Sequence, residues 1–314
     1  MADHYVRPDV KAFLDFVNGL GAPPLSTLPL ADARAGYLKM RGLAEADARA
    51  LGTVRNLACP GPAGDIPLRL YDVREQRGPG PVLVFYHGGG FVIGDLESHD
   101  SLCRELAGEL DLPVISVDYR LAPEHPFPGA PDDCEAATRW IAASPPELGR
   151  AVTGLVTIGD SAGGNLAIVT TRALMDDPAA VPVLLQVPIY PATDERGDHR
   201  SLKDFAQGYS LDIAAMRFFT RAYGGGEGNA RAAPILGEHT GMPPTILVTA
   251  SLDPIRDSGR AYGAALILAG CEVLFLEMKG TIHGFVNTRK ALPSAQADLH
   301  RIVAAIRYML ENHA

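Results

Sequence analysis

Leu155-Val156-Thr157-Ile158-Gly159-Asp160-Ser161-Ala162-Gly163-Gly164-Asn165 is the stretch on which the reading of this chain turns. A short, apolar, β-branched run ends in an abrupt turn, and the residues from Asn165 to Thr171 suit a helix. Strand, sharp turn and helix is the setting that makes a G-x-S-x-G sequence a nucleophile elbow. A serine at the apex of so tight a turn leaves no room for side chains two residues to either side, where Gly159 and Gly163 stand. The turn exposes Ser161 Oγ at a helix N-terminus, where free backbone N–H groups and the helix dipole favour developing negative charge. In a chain with 33 glycines the bare pattern can also be a Gly-rich turn of an ordinary α/β sheet, so its companions decide.

A serine nucleophile needs a base, a group that orients the base, and donors for an oxyanion. In this setting the expected chain order is Ser, then Asp or Glu, then His. After an apolar run at 245–249 comes Ala250-Ser251-Leu252-Asp253-Pro254-Ile255-Arg256-Asp257. Asp253 is favoured as the acid, because Asp257 falls in the first turn of the next helix, where the dipole already accounts for it. Of nine histidines only His283, His300 and His313 follow. His300 sits in an amphipathic helix and His313 in the tail, whereas His283 sits in Gly280-Thr281-Ile282-His283-Gly284-Phe285, just past the last strand.

For the oxyanion, Tyr86-His87-Gly88-Gly89-Gly90-Phe91 follows the apolar run 82–86. Consecutive glycines let backbone N–H groups approach a substrate oxygen, and the N–H of Ala162 completes the set. A dinucleotide fingerprint fails here, because Phe91-Val92-Ile93 separates Gly90 from Gly94 and opens no helix.

The 314 residues, 47% hydrophobic and 21% charged, suit one large globular domain, with room for a lid. A net charge of −9 opposes binding to nucleic acid or anionic membranes. The start Met1-Ala2-Asp3-His4-Tyr5 has no secretory pattern, and no apolar run is long enough to span a bilayer, so a cytoplasmic protein without membrane insertion is expected. Cys59, Cys103, Cys134 and Cys271 are scattered as reduced structural thiols rather than metal ligands. No metal or organic cofactor is expected.

Helical periodicity marks 9–20 and 31–40 near the N-terminus. Strand-like runs follow at 53–58, 66–71, 82–86, 114–117, 155–158, 183–189, 245–249 and 273–276, the first two joined closely enough for an antiparallel edge. From the third onward, helical stretches intervene, near 98–110, 132–143, 165–175, 255–268 and 294–310. This alternation predicts an α/β fold with an eight-stranded, mostly parallel sheet covered by helices on both faces. Some fifty residues separate the sixth run from the seventh, including an amphipathic piece at 211–223 and Gly224-Gly225-Gly226-Glu227-Gly228. They are read as a helical cap over the strand ends. The expected division is 1–45 for N-terminal cap helices, 46–194 and 234–314 for the core, and 195–233 for the cap insertion.

Over about residues 82–285 the chain resembles the hormone-sensitive-lipase-like (bacterial family IV) carboxylesterases of the α/β-hydrolase fold. The resemblance rests on His87-Gly88-Gly89-Gly90-Phe91, Asp118-Tyr119-Arg120-Leu121-Ala122-Pro123-Glu124, Gly159-Asp160-Ser161-Ala162-Gly163-Gly164-Asn165, Asp253-Pro254-Ile255-Arg256-Asp257 and His283-Gly284-Phe285. It implies Ser161 as nucleophile, His283 as base, Asp253 as its orienter, and Gly89, Gly90 and Ala162 as oxyanion donors. His87, Gly88 and Asp160 are the supporting motif residues, with His87 bracing the glycine loop. It also implies small esters of short to medium acyl chains as substrates, and a homodimer through the last strand. Arg120 and Glu124 are expected to pair and brace their loop. Where the family usually has a carboxylate after Asp257, this chain has Ser258, whose hydroxyl is a candidate replacement. The rival readings are a ligand-binding protein on the same fold and a hydrolase of amides, lactones or acetylated compounds.

Overall fold

The computed structural model describes residues 4–194, 198–226 and 228–313. Its elements are α1 (Pro8–Gly19), α2 (Leu30–Ala44), β1 (Thr53–Gly61), β2 (Gly64–Asp72), β3 (Gly80–Tyr86), α3 (Asp100–Leu110), β4 (Val114–Val117), α4 (Gly129–Ala142), β5 (Val152–Asp160) and α5 (Ala162–Asp176). Then come β6 (Val183–Ile189), α6 (Arg200–Asp204), α7 (Ile213–Tyr223), β7 (Thr245–Leu252), α8 (Arg256–Leu268), β8 (Val273–Ile282) and α9 (Ser294–His313). The eight strands form one sheet in the order β1-β2-β4-β3-β5-β6-β7-β8. β2 is antiparallel to both β1 and β4, and the remaining pairs are parallel, as the alternation of runs predicts.

A strand buried on both faces needs apolar residues at successive positions, and β3 has them. Val82, Val84 and Tyr86 face one layer with Cys134, Ala137 and Ile141 of α4 and Leu166 and Ala167 of α5. Leu83 and Phe85 face the other, with Leu102 and Leu106 of α3 and Leu299, Ile302 and Ile306 of α9. α8 closes the α5 side through Tyr262 and Leu266 against Leu247. No helix among the described residues is long and apolar enough to cross a membrane.

The N-terminal helices are fastened to the core by polar contacts as well as by Val10 and Leu14. Arg7 pairs with buried Asp298, and Asp9 accepts from the N–H of Ser294 at 2.8 Å. Arg34 of α2 donates to the carbonyl oxygens of Val92 and Ala122 and pairs with Glu124 at 2.7 Å. The β6–β7 insertion reaches back to the end of α1 and to the loop before α4. Asn18 Nδ2 donates to Gly208 O at 3.2 Å, and Phe127 N–H donates to Tyr223 O at 2.8 Å. Met1, Ala2, Asp3, the expected first insertion residue Glu195, and Glu227 of the glycine cluster lie outside the described residues.

One expectation is corrected. Arg120 does not pair with Glu124 but grips Asp133 through two contacts of 2.7 Å. Asp133 is almost fully buried, and a buried carboxylate requires a partner, so α4 captures Arg120 while α2 supplies Arg34 to Glu124.

Asp72 presents the sharpest stability test, because it is wholly buried at the end of β2 between Arg77 and Arg150. Burial works against its charged form, but Arg77, the N–H of Arg74 and Arg150 hold its carboxyl below the ordinary value. Asp72→Ala leaves buried Arg150 without a carboxylate partner, while Arg77 keeps Asp111 at 2.7 Å, and is expected to cost about 3 kcal/mol in urea unfolding at neutral pH. The native advantage is fully present above the unfolded carboxyl value and is lost as the pH falls through the lower folded one, so the two stability curves converge below about pH 4.

Candidate active site

The sharp loops after β3, β5, β7 and β8 all lie at the carboxyl ends of parallel strands, where open α/β sheets leave a crevice. After β5 the chain turns at Ser161, whose φ of 57° and ψ of −116° are strained for a residue with a side chain. The strain is held by backbone bonds: Ser161 N–H donates to Ile189 O at 2.9 Å, and Ser161 O accepts from Asn165 and Ala192. Gly163 is required by close approach, since a Cβ there would lie 1.9 Å from the carbonyl oxygen of Tyr86.

His283 stands between the other two predicted groups. Its Nε2 is 2.8 Å from Ser161 Oγ and its Nδ1 is 2.7 Å from Asp253 Oδ2. Asp253 is fully buried, and its second oxygen accepts from the N–H of Ile255 at 2.9 Å, which fixes the carboxylate plane. Tyr190 packs its ring 4.6 Å from the imidazole and is itself held at a φ of 34° at the end of β6. Gly284, in the left-handed region at φ 79°, turns the chain after His283 into the short helical turn Phe285–Asn287. Asp257, the rejected alternative acid, pairs with Arg256 and Arg260, and His300 lies exposed on α9 beside Gln296.

The glycine loop is shaped by Gly89, whose φ of 121° excludes ordinary side chains and whose carbonyl accepts from Val92 and Ile93. Among the described residues, the N–H groups of Gly89, Gly90 and Ala162 have no acceptor within the chain. The N–H of Gly88 is instead committed to Asp160 Oδ1 at 2.8 Å. His87 is buried, stacked on Tyr119 with centroids 4.2 Å apart, and its Nδ1 is 2.8 Å from Gly88 O. Burial and the neighbouring His99 push its imidazole down to about 4, so it braces the loop as a neutral ring. Asp160 is buried too. Burial alone would raise its carboxyl, but His99, the N–H of Gly88 and Arg41 bring it below the ordinary value.

His99 and Arg41 escape the sequence reading. His99 Nε2 lies 3.2 Å from Asp160 Oδ1, close enough for attraction though off the line of a hydrogen bond. At the start of α3 it looks like a capping residue, and nothing in its spacing aims it at the elbow. Arg41 is a buried arginine in the last turn of α2, where a cation ordinarily serves the dipole, yet its Nη1 donates to Asn287 O at 2.5 Å. Ser258 does not stand in for a missing carboxylate, because its hydroxyl turns back to Ile255 O at 2.8 Å.

The one group of potential metal-ligating atoms among the described residues, Glu105, Glu109 and His300, is remote from Ser161 on the α3–α9 surface, and Arg49 already pairs with both glutamates. A cavity of about 420 Å³ beside α2 is lined by Tyr37, Asp95 and Asp118 but not by Ser161. Burial, with the charge of Asp95 adding to it, pushes Asp118 up to about 6.

Comparison with known proteins points the same way as this geometry. A family model described as the α/β hydrolase fold matches residues 83–287. Esterase LipI of Mycobacterium tuberculosis is 38% identical over 264 residues, 82% of each chain. An ethyl acetate hydrolase of Pseudomonas putida is 32% identical over 316 residues, 97% of this chain and 99% of its own. Among solved structures, a serine-to-alanine mutant of LAE6, an α/β hydrolase enzyme from the metagenome of Lake Arreo, Spain, is 40% identical with a TM-score of 0.90, covering 95% of this chain and 96% of that one.

The contact at Gly163 sets a test of the elbow itself. Gly163→Ala forces β3 and α5 apart and is expected to cost about 3 kcal/mol, the upper part of the overpacking range, as measured by urea unfolding.

Proposed function

Since the chain belongs to the α/β-hydrolase fold family, among its hormone-sensitive-lipase-like carboxylic ester hydrolases, we propose that it cleaves short- to medium-chain esters by a serine mechanism with an acyl-enzyme intermediate. The observation that carries the mechanism is the pair of contacts, 2.7 Å and 2.8 Å, linking Asp253 through His283 to Ser161. Ser161 Oγ attacks the ester carbonyl while His283 Nε2 takes its proton. Asp253 holds Nδ1–H in place and stabilises the imidazolium that forms. The oxyanion is received by the N–H groups of Gly89, Gly90 and Ala162, each such donor being worth about 10²–10³ in turnover. His283 returns the proton to the departing alcohol, and the neutral imidazole then activates water to release the acid and restore Ser161.

The chain-length reading rests on Phe219 of α7. Its ring atoms come within 2.2 Å of where a Cβ on Gly90 would stand, so the ring fills the space next to a proposed donor. Phe91 stacks on Tyr223 at 3.9 Å beneath this roof, with Phe127 edge-on. A rigid aromatic wall so near the reacting carbon favours small ester groups, in line with a relative named for ethyl acetate. On this reading residues 1–45 and 195–233 act together as the cap on a core of 46–194 and 234–314. The outer edge of β8, with Phe275 half exposed, suits pairing of two copies, and four free cysteines suit the cytoplasm.

Ser161→Ala is expected to lower kcat on a short-chain nitrophenyl ester by about 10⁴-fold or more, and full retained turnover removes the serine mechanism. Phe219→Ala is expected to raise kcat/KM for a twelve-carbon acyl ester relative to the acetate by about tenfold, read from an ester series.

A further inference from the structure

The first helix of the insertion is bolted to the loop that carries the acid. Ser201, in α6, is completely buried. Its hydroxyl donates to the carbonyl oxygen of Pro254 at 2.7 Å and accepts from the N–H of Asp257 at 3.2 Å. Its own N–H donates to Asp257 Oδ2 at 3.0 Å. One residue thus spans the turn that follows Asp253, holding its near end at Pro254 and its far end at Asp257. Arg256 tightens the same assembly: its guanidinium lies over the Phe205 ring at 5.1 Å, donates to Ser251 O at 3.0 Å and pairs with Asp257.

We propose that Ser201 is a positioning residue for the catalytic acid. The peptide carbonyl it grips is next to Asp253, and among the described residues the Asp253 carboxylate has only the N–H of Ile255 and His283 to set its plane. Removing the hydroxyl takes the partner from a buried carbonyl and from a half-buried N–H, and the turn relaxes at the point where the carboxylate is aimed. A small misplacement of an orienting group acts on turnover rather than on substrate binding, because the lost alignment matters most in the transition state. The inference rests on the reading of Asp253 as the group that orients His283.

The test compares Ser201→Ala, Ser201→Thr and Asp253→Asn in the full chain, on a short-chain nitrophenyl ester across pH. Ser201→Ala is expected to lower kcat by about tenfold with KM within about twofold, and to move the acidic limb of kcat/KM to lower pH as the imidazolium loses support. The low-field proton resonance of His283 Nδ1–H is expected to shift upfield in the alanine variant, a readout independent of turnover. Ser201→Thr, which keeps the hydroxyl, is expected to restore the native limb and resonance. Unchanged resonance and pH limb in Ser201→Ala, or equal losses in the threonine and alanine variants, overturn the proposal. Full activity of Asp253→Asn overturns the underlying reading of the acid instead.

Discussion

The carbonyl of Tyr86 and the Cα of Gly163 press against each other, and the site is built around that contact. β3 and β5 run parallel with Tyr86 opposite Gly159, so the glycine loop and the elbow leave the sheet side by side. A side chain at 163 would hold α5 away from β3 and separate the amide of Ala162 from those of Gly89 and Gly90. Backbone register, rather than any side-chain contact, therefore sets the spacing of these three amides, the proposed oxyanion donors. Preorganisation of this sort is effective because the donors need no rearrangement when charge develops.

Electrostatics adds a second constraint at the same place. Asp160 precedes Ser161, the proposed nucleophile, and is buried, and an uncompensated carboxylate there would oppose negative charge developing beside it. The N–H of Gly88, the nearby His99 and the guanidinium of Arg41 supply the compensation. The hydrogen bond from Gly88 uses that carboxylate mechanically as well, anchoring the loop one residue before Gly89 and Gly90. His87, being neutral, brings hydrogen bonding and stacking to this cluster without adding charge.

The parts legible in the sequence are those governed by local rules. All eight strands lie where the apolar runs place them, and Ser161, Asp253 and His283 meet as the order of their loops suggests. Gly159 and Gly163 are readable because steric exclusion acts over two residues of chain. Partners set by tertiary packing are not readable. Arg120 lies four residues from Glu124, yet buried Asp133 outcompetes it as a partner, and no local pattern reports burial. His99, Arg41 and Ser201 obtain their roles from contacts with residues between 53 and 246 positions distant, and each has a bland helical explanation by itself.

The anchoring of α6 bears on how such insertions can be exchanged between relatives. Between β6 and β7 the chain contributes none of the three proposed relay residues, Ser161, Asp253 and His283, which invites transplanting the whole segment to alter selectivity. Yet its two ends belong mechanically to the core: α6 to the Pro254–Asp257 turn, and Ala232 to Asn165 Nδ2 at 2.7 Å. A recombination library cut at the strand ends would import foreign sequence into both anchors. Crossovers inside the segment, after Phe205 and before Tyr223, exchange the aromatic roof and leave the chassis native.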